Sequence, residues 1–178
     1  TITLVGVTGG LTRFNAGDAD DIDFLIITTP KMLWVSRALS TILLDLFGLR
    51  RRPRDTMLRN LICLNMFMSE DGLRVPPKER DLFTAHEVLL MTPLWGRDGV
   101  YQKFLSANQW VARFLPNAWE KRNQPACRRG RESGIRNHGL SLIHASSFLI
   151  RLMESVARSA QLRYMSKRRT TEVVSDTV

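Results

Sequence analysis

Cysteine and histidine are scarce, two and three in 178 residues, and Cys63 and Cys127 stand far apart in no metal-ligand spacing. That excludes a disulfide scaffold and suits a reducing, cytoplasmic setting. The histidines make no HExxH-like pattern, so a zinc site is not expected. Long apolar runs are missing as well. Ala38 to Leu49 is interrupted by Asp45, and Leu140 to Ala157 carries His144, Arg151 and Glu154, so neither supplies the roughly 20 clean residues of a membrane span. Both are expected as helices packed on a soluble core, with an interfacial helix flanked by Arg50 to Arg52 as the lesser alternative. No signal peptide opens the chain. Thr1 stands inside an apparent strand with no initiator Met, and upstream residues are expected.

Negative charge is in short supply too: 26 Lys and Arg against 17 Asp and Glu leave a formal net charge of +9. Such a balance favours polyanionic partners, whether nucleotides, nucleic acid or an anionic membrane surface. Much of the excess lies in Arg50-Arg51-Arg52-Pro53-Arg54, Arg128-Arg129-Gly130-Arg131 and Lys167-Arg168-Arg169, runs read as solvated loops or tails. Otherwise 44% hydrophobic and 24% charged residues are ordinary globular usage, enough for a sizeable core. The length suits one domain, or one domain with a helical extension.

Ile2 to Val7 is β-rich and meets Thr8-Gly9-Gly10, after which Leu11 to Ala16 has room for a short helix. Phe24 to Ile27 continues from Asp21-Ile22-Asp23 as a second strand, stopped by Thr28-Thr29-Pro30. From Lys31 to Leu49 apolar residues fall at helical spacing up to Gly48, and Asn60 to Met68 returns to strand character. The order strand, turn, short helix, strand, long helix, strand argues for an α/β or α+β core. Thr84 and Glu87 have the spacing of a capping box. Tyr101 to Leu115 and Leu140 to Ser166 complete a helical second half. Pro116 to Gly139, polar, basic and rich in Asn, Gly and Pro, reads as a long linker or loop. The expected division is a core over 1–92, a helical region over 93–166 with its basic loop at 116–139, and a tail over 167–178.

The chemistry-bearing residues gather near the start. Asp21 and Asp23 alternate with Ile22 and Phe24, so both carboxylates leave the strand on one face, about 7 Å apart. They repel unless something compensates. A hard divalent cation, Mg²⁺ or Mn²⁺, is the natural compensator, bound by one or two carboxylates plus substrate phosphates. Gly9 and Gly10 ahead of a short helix offer close backbone approach and free N–H groups for an anion. The plainer alternative makes Asp18, Asp20, Asp21 and Asp23 a hydrated acidic turn.

The order strand, Gly-Gly, short helix, then acid-apolar-acid on the next strand resembles the polymerase-β-type nucleotidyltransferase superfamily, through Gly9, Gly10, Asp21 and Asp23. Asp21-Ile22-Asp23-Phe24-Leu25-Ile26-Ile27-Thr28, Ile62-Cys63-Leu64-Asn65, Leu82-Phe83-Thr84-Ala85-His86-Glu87-Val88 and Pro93-Leu94-Trp95 extend the likeness. These segments resemble a poorly characterised group of bacterial nucleotidyltransferase-like proteins, over roughly Leu4 to Asn117. The resemblance implies a mixed sheet with helices, and two metal ions on three carboxylates that position a nucleoside triphosphate and activate an attacking hydroxyl. Asp21 and Asp23 would then be catalytic and metal-binding, while Gly9 and Gly10 cradle phosphates. Gly10 stands where many members have Ser, leaving Thr8 or Thr12 to supply the hydroxyl. Asn65 takes the place of the third carboxylate; its neutral oxygen weakens a second metal and cannot act as a general base.

Arg13, just past the glycines, is a candidate phosphate contact or a plain surface residue. Arg37 is expected to shield the Trp34 ring with its stem. Trp95, Trp110 and Trp119 are expected in the core rather than stacking on bases. Three functions follow: nucleotidyl transfer from a triphosphate to an unidentified acceptor, nucleic acid among the options; a nucleotide- or RNA-binding module of the same fold with impaired catalysis; and a basic protein docking to a membrane or partner through apolar helices.

Overall fold

In a computed structural model the described residues are 1–13, 17, 20–52, 55–97, 99–123 and 147–166. Four strands form one mixed sheet and six helices surround it: β1 (Ile2–Val7), α1 (Gly9–Thr12), β2 (Ile22–Thr28), α2 (Leu33–Leu46), β3 (Ile62–Ser69), α3 (Leu82–Leu90), β4 (Thr92–Gly96), α4 (Val100–Ala107), α5 (Pro116–Asn123) and α6 (Ser147–Ser166). The sheet order is β3-β2-β1-β4. β1 runs antiparallel to β2 and β4. β2 and β3 are parallel, and α2 makes the long crossover that a parallel pair requires. The fold is therefore α+β, as the alternation of patterns implied.

β4 was not anticipated, since it is short and contains Pro93. Pro is admitted because β4 pairs only with β1 and lies at the sheet edge, where one row of N–H groups has no ladder partner to lose. The boundary expected at residue 92 falls on this strand. One apolar core joins both sides of it, from Leu4 and Ile27 in the sheet to Val88, Met91, Phe104 and Val111 in the helices.

Several local expectations are corrected. α3 begins a turn earlier than a capping box at Thr84 would allow. Asp81 is the N-cap, its carboxylate accepting from the Thr84 N–H at 2.7 Å, which leaves Glu87 in the buried middle of the helix. An Asp three residues before a backbone N–H is as good a cap as Thr. The helix expected over Tyr101 to Leu115 divides into α4 and a 3-10 turn over Gln109–Arg113. Residues 116–123, expected in a loop, are helical. Arg122 explains this: it is 5% exposed and donates to the Met91 carbonyl at 2.9 Å and to the Tyr101 hydroxyl. The rest of that loop and the tail lie outside the described residues, as do the basic runs at 128–131 and 167–169.

The first basic run is not merely solvated. Arg50 and Arg52 both pair with Asp45, and Arg51 reaches Asp21. The Arg37 guanidinium lies over the Phe67 ring, 5.2 Å from its centroid. Trp110 is buried and Trp119 packs against the core.

α2 has no side-chain cap of its own. Glu154 of α6 supplies one, accepting from the Trp34 and Val35 N–H groups at 2.7 and 2.8 Å, a carboxylate on the positive end of a helix. The C-terminal part of α2 is open: Leu39, Ile42, Leu43, Leu46 and Phe47 are exposed, so the expected packing of this helix holds only toward its N-terminal end, where Val35 and Ser36 are buried. No helix among the described residues is long and apolar enough to cross a membrane.

Candidate metal centre

β2 delivers the two carboxylates. Asp21 immediately precedes the strand and Asp23 is its second residue. The Ile22 N–H between them bonds the Leu61 carbonyl at 2.8 Å, and the Asp23 carbonyl accepts from Thr8 at 2.9 Å. The backbone on both sides is thus fixed before any side chain is considered.

Gly9 meets this pair. Its φ is +69° and a Cβ built on it would lie 2.1 Å from Asp23 Oδ2. Any other residue would be strained by the left-handed backbone and would strike the carboxylate. The glycine turn therefore faces the acidic pair.

The anion cradle is modified. The Gly9 N–H, expected free, donates to Glu87 Oε2 at 3.1 Å, and Arg13 pairs with Glu87 Oε1 while lying over the Phe83 ring at 4.7 Å. Thus Arg13 is neither a free phosphate contact nor a plain surface residue. Glu87 is 7% exposed; a carboxylate so buried is held by charge-assisted hydrogen bonds. Gly10 lies inside α1, its carbonyl accepting from Arg13 N–H. Thr12 Oγ1 donates to the Gly9 carbonyl at 3.0 Å. Thr8 Oγ1 is buried with no hydrogen-bond partner.

The third ligand position departs from the sequence reading. Cys63 is the β3 residue in register with Asp23, and the register shifts before the next pair, Leu25 with Met66. Asn65 lies in that irregular stretch and is exposed. Ligand atoms of Asp21, Asp23 and Cys63 all fall within 4.8 Å of one another. Cys63, set aside for its sequence spacing, joins the site because parallel pairing places it beside a residue 40 positions away.

Charge in this corner is only partly balanced. Arg51 Nη1 donates to Asp21 Oδ2 at 2.7 Å, delivered by a stretch whose Arg51 N–H bonds the Ile62 carbonyl at the start of β3. Among the described residues Asp23 has no ion pair, and the Arg51 charge is only the last of the influences on its carboxyl. Burial, then the charge of Asp21, raise its carboxyl above the usual range, against an opposing hydrogen bond from the Cys63 thiol. Burial, followed by the Asp23 charge, pushes the Cys63 thiol up to about 12. An acid and a thiol both held toward their uncharged forms, Asp23 and Cys63, are what a bound cation would relieve.

The donor set is two carboxylates and a sulfur, with the buried Thr8 hydroxyl nearby along the chain. The carboxylates fit a divalent ion; the sulfur departs from the expected set of oxygen ligands. Comparison with protein-family models, with curated proteins and with solved structures finds no match.

Proposed function

We propose that this chain is a divalent-metal-dependent nucleotidyltransferase that moves a nucleotidyl group from a nucleoside triphosphate to an acceptor, with Asp21 and Asp23 holding the ion. The observation that carries the reading is the meeting of both carboxylates with the Gly9 turn at one corner of a mixed sheet. A divalent ion bound there would neutralise phosphate oxygens and help align an in-line attack. The chain's own residues position: Gly9 admits Asp23 by lacking a Cβ, Arg51 orients Asp21, and Thr8 Oγ1 is the buried hydroxyl left for a phosphate oxygen. Glu87 must release the Gly9 N–H, or the phosphates must use the remaining donors of the turn. A net charge of +9 suits a triphosphate and a nucleic-acid acceptor, and a cytoplasmic setting goes with that chemistry.

The test is transfer from an α-phosphate-labelled triphosphate in Mg²⁺ or Mn²⁺. Asp21→Asn and Asp23→Asn are expected to abolish it, and transfer unchanged in both variants would overturn the assignment. A second reading, a nucleotide- or RNA-binding module with impaired catalysis, is favoured by Glu87 already occupying the Gly9 N–H and by Cys63 standing beside Asp23 without a third carboxylate. Metal-dependent triphosphate binding without turnover, with RNA and small alcohols offered as acceptors, would select it.

A further inference from the structure

We infer that the ion site is a three-ligand centre of Asp21, Asp23 and the Cys63 thiolate, which takes a borderline-soft transition ion of the Zn²⁺ or Co²⁺ class in preference to Mg²⁺. The inference rests on the metal-site reading above for the place of the ion and changes the identity of the ion.

Three donors from adjacent strands stand within 4.8 Å of one another. Their backbones are held by ladder hydrogen bonds, with Asp23 paired to Cys63. Mg²⁺ demands near-octahedral oxygen coordination and keeps several waters, so a sulfur in the first shell offers it nothing. Thiolate ligands instead select Zn²⁺ and its neighbours, and three protein ligands with an open position are the usual form of a catalytic zinc site. On binding, the Cys63 proton leaves to solvent and the sulfur lone pair forms the bond to the ion, with no change of oxidation state.

A further observation points to a ligand. Thr8, 2% exposed, keeps its Oγ1 buried without a partner while its N–H holds the Asp23 carbonyl; an orphan buried hydroxyl on a residue bonded to Asp23 is the mark of a missing partner.

The experiment uses the reduced full chain, stripped with chelator and titrated with Co²⁺ alone. One equivalent is expected to give a thiolate-to-cobalt charge-transfer band in the near ultraviolet, removed by Zn²⁺ but not by a large excess of Mg²⁺. The band should persist in Cys127→Ser and vanish in Cys63→Ser. Zn²⁺ affinity in Cys63→Ser should fall by more than the roughly 10–100-fold typical of losing an outer partner. Thermal unfolding of metal-free Cys63→Ser and Cys63→Ala, expected to match the parent, separates ligand loss from misfolding. No band, a band that survives in Cys63→Ser, or displacement by Mg²⁺ at concentrations similar to Zn²⁺ would each overturn the inference. A cobalt–sulfur band in a protein that then fails to bind added triphosphate would sink the nucleotidyl reading and leave this one standing. Mg²⁺-dependent transfer undiminished in Cys63→Ser, with no band in the parent, would do the reverse.

Discussion

Two buried polar places in this molecule are built on opposite terms. At Asn108, fully buried, one neutral amide uses every position it has. Its Oδ1 accepts from Val75 N–H and Trp110 Nε1–H, both at 2.9 Å, and its Nδ2 donates to the Leu73 and Phe104 carbonyls at 2.7 and 2.9 Å. That exhausts the amide's two donors and two lone pairs. At the Asp21, Asp23 and Cys63 corner burial and neighbouring negative charge disfavour the ionisation of Asp23 and Cys63, and Arg51, ion-paired with Asp21 and hydrogen-bonded to the Cys63 side chain, offsets this only in part. The first arrangement stabilises by satisfying what it buries; the second holds back satisfaction in a way an incoming ion could complete. A buried polar node with nothing left to bind is structure, whereas one left in debt of a partner is where ligand binding is to be sought.

The largest expected effect tests the first half of that contrast. Asn108→Ala strips partners from two N–H groups and two carbonyls in the core, and each unsatisfied group costs about 1–3 kcal/mol. Denaturant unfolding should show a loss of about 3–5 kcal/mol after partial relaxation. Metal binding measured well below the unfolding midpoint should be unchanged. If instead metal affinity collapsed with stability largely kept, the node would belong to the site.

Gly9→Ala comes next, because it joins fold and site. The left-handed backbone alone costs about 1–2 kcal/mol for a side chain, and the new Cβ would meet Asp23 Oδ2 at 2.1 Å. Asp23 must swing away, so the loss of metal binding should be near complete while stability falls by only about 2 kcal/mol. A variant that binds metal normally would show that the close approach is not needed.

These two residues also show what the sequence could and could not disclose. The Gly-Gly turn followed by acid-apolar-acid on a strand was legible, because turn chemistry and two-residue alternation are local. So were the α+β class and the long helix between β2 and β3, which follow from the order of patterns. Cys63 was not legible as a site member, nor Glu87 as the partner of Gly9 and Arg13: both depend on cross-strand register or helix placement over separations of 40 and 78 residues. Asn108 carries no local signal of its role. Its partners Leu73 and Val75 lie in an irregular segment with no period to read. Asp81 was the missed local signal, a stronger cap than Thr84 and one turn earlier.

A smaller effect, of unusual sign, is expected at Asp23. Its carboxyl is held above the ordinary value by burial and then by Asp21. The metal-free protein therefore has this contribution in full below the unfolded aspartate range and loses it as pH rises through the raised folded value. Asp23→Asn should accordingly raise Tm at neutral pH, with the advantage shrinking toward zero as pH falls below the usual aspartate pKa. Thermal unfolding in chelator across pH 3 to 7, a span that includes the ordinary aspartate pKa of about 3.9, checks it. An Asn variant less stable at neutral pH would mean that Asp23 is already well compensated, and the contrast with Asn108 would fail.

Arg51→Ala is the smallest in stability and the most informative about electrostatics. The side chain is 40% exposed, so losing its pair with Asp21 costs about 0–1 kcal/mol. Two consequences for metal binding oppose each other. The guanidinium orients Asp21, which favours binding, and it places a positive charge against the incoming ion, which disfavours it. Backbone hydrogen bonds at Ile22 and to the Asp23 carbonyl fix the chain on both sides without help from Arg51, so repulsion should outweigh orientation. Metal affinity should then rise several-fold in Arg51→Ala, most at low ionic strength, where screening is weakest. Asp23 should also titrate higher still, since Arg51 is among the charges that lower its carboxyl. Metal affinity that instead falls would make Arg51 a necessary outer partner of Asp21, and the imbalance at this corner would be smaller than the contrast with Asn108 requires.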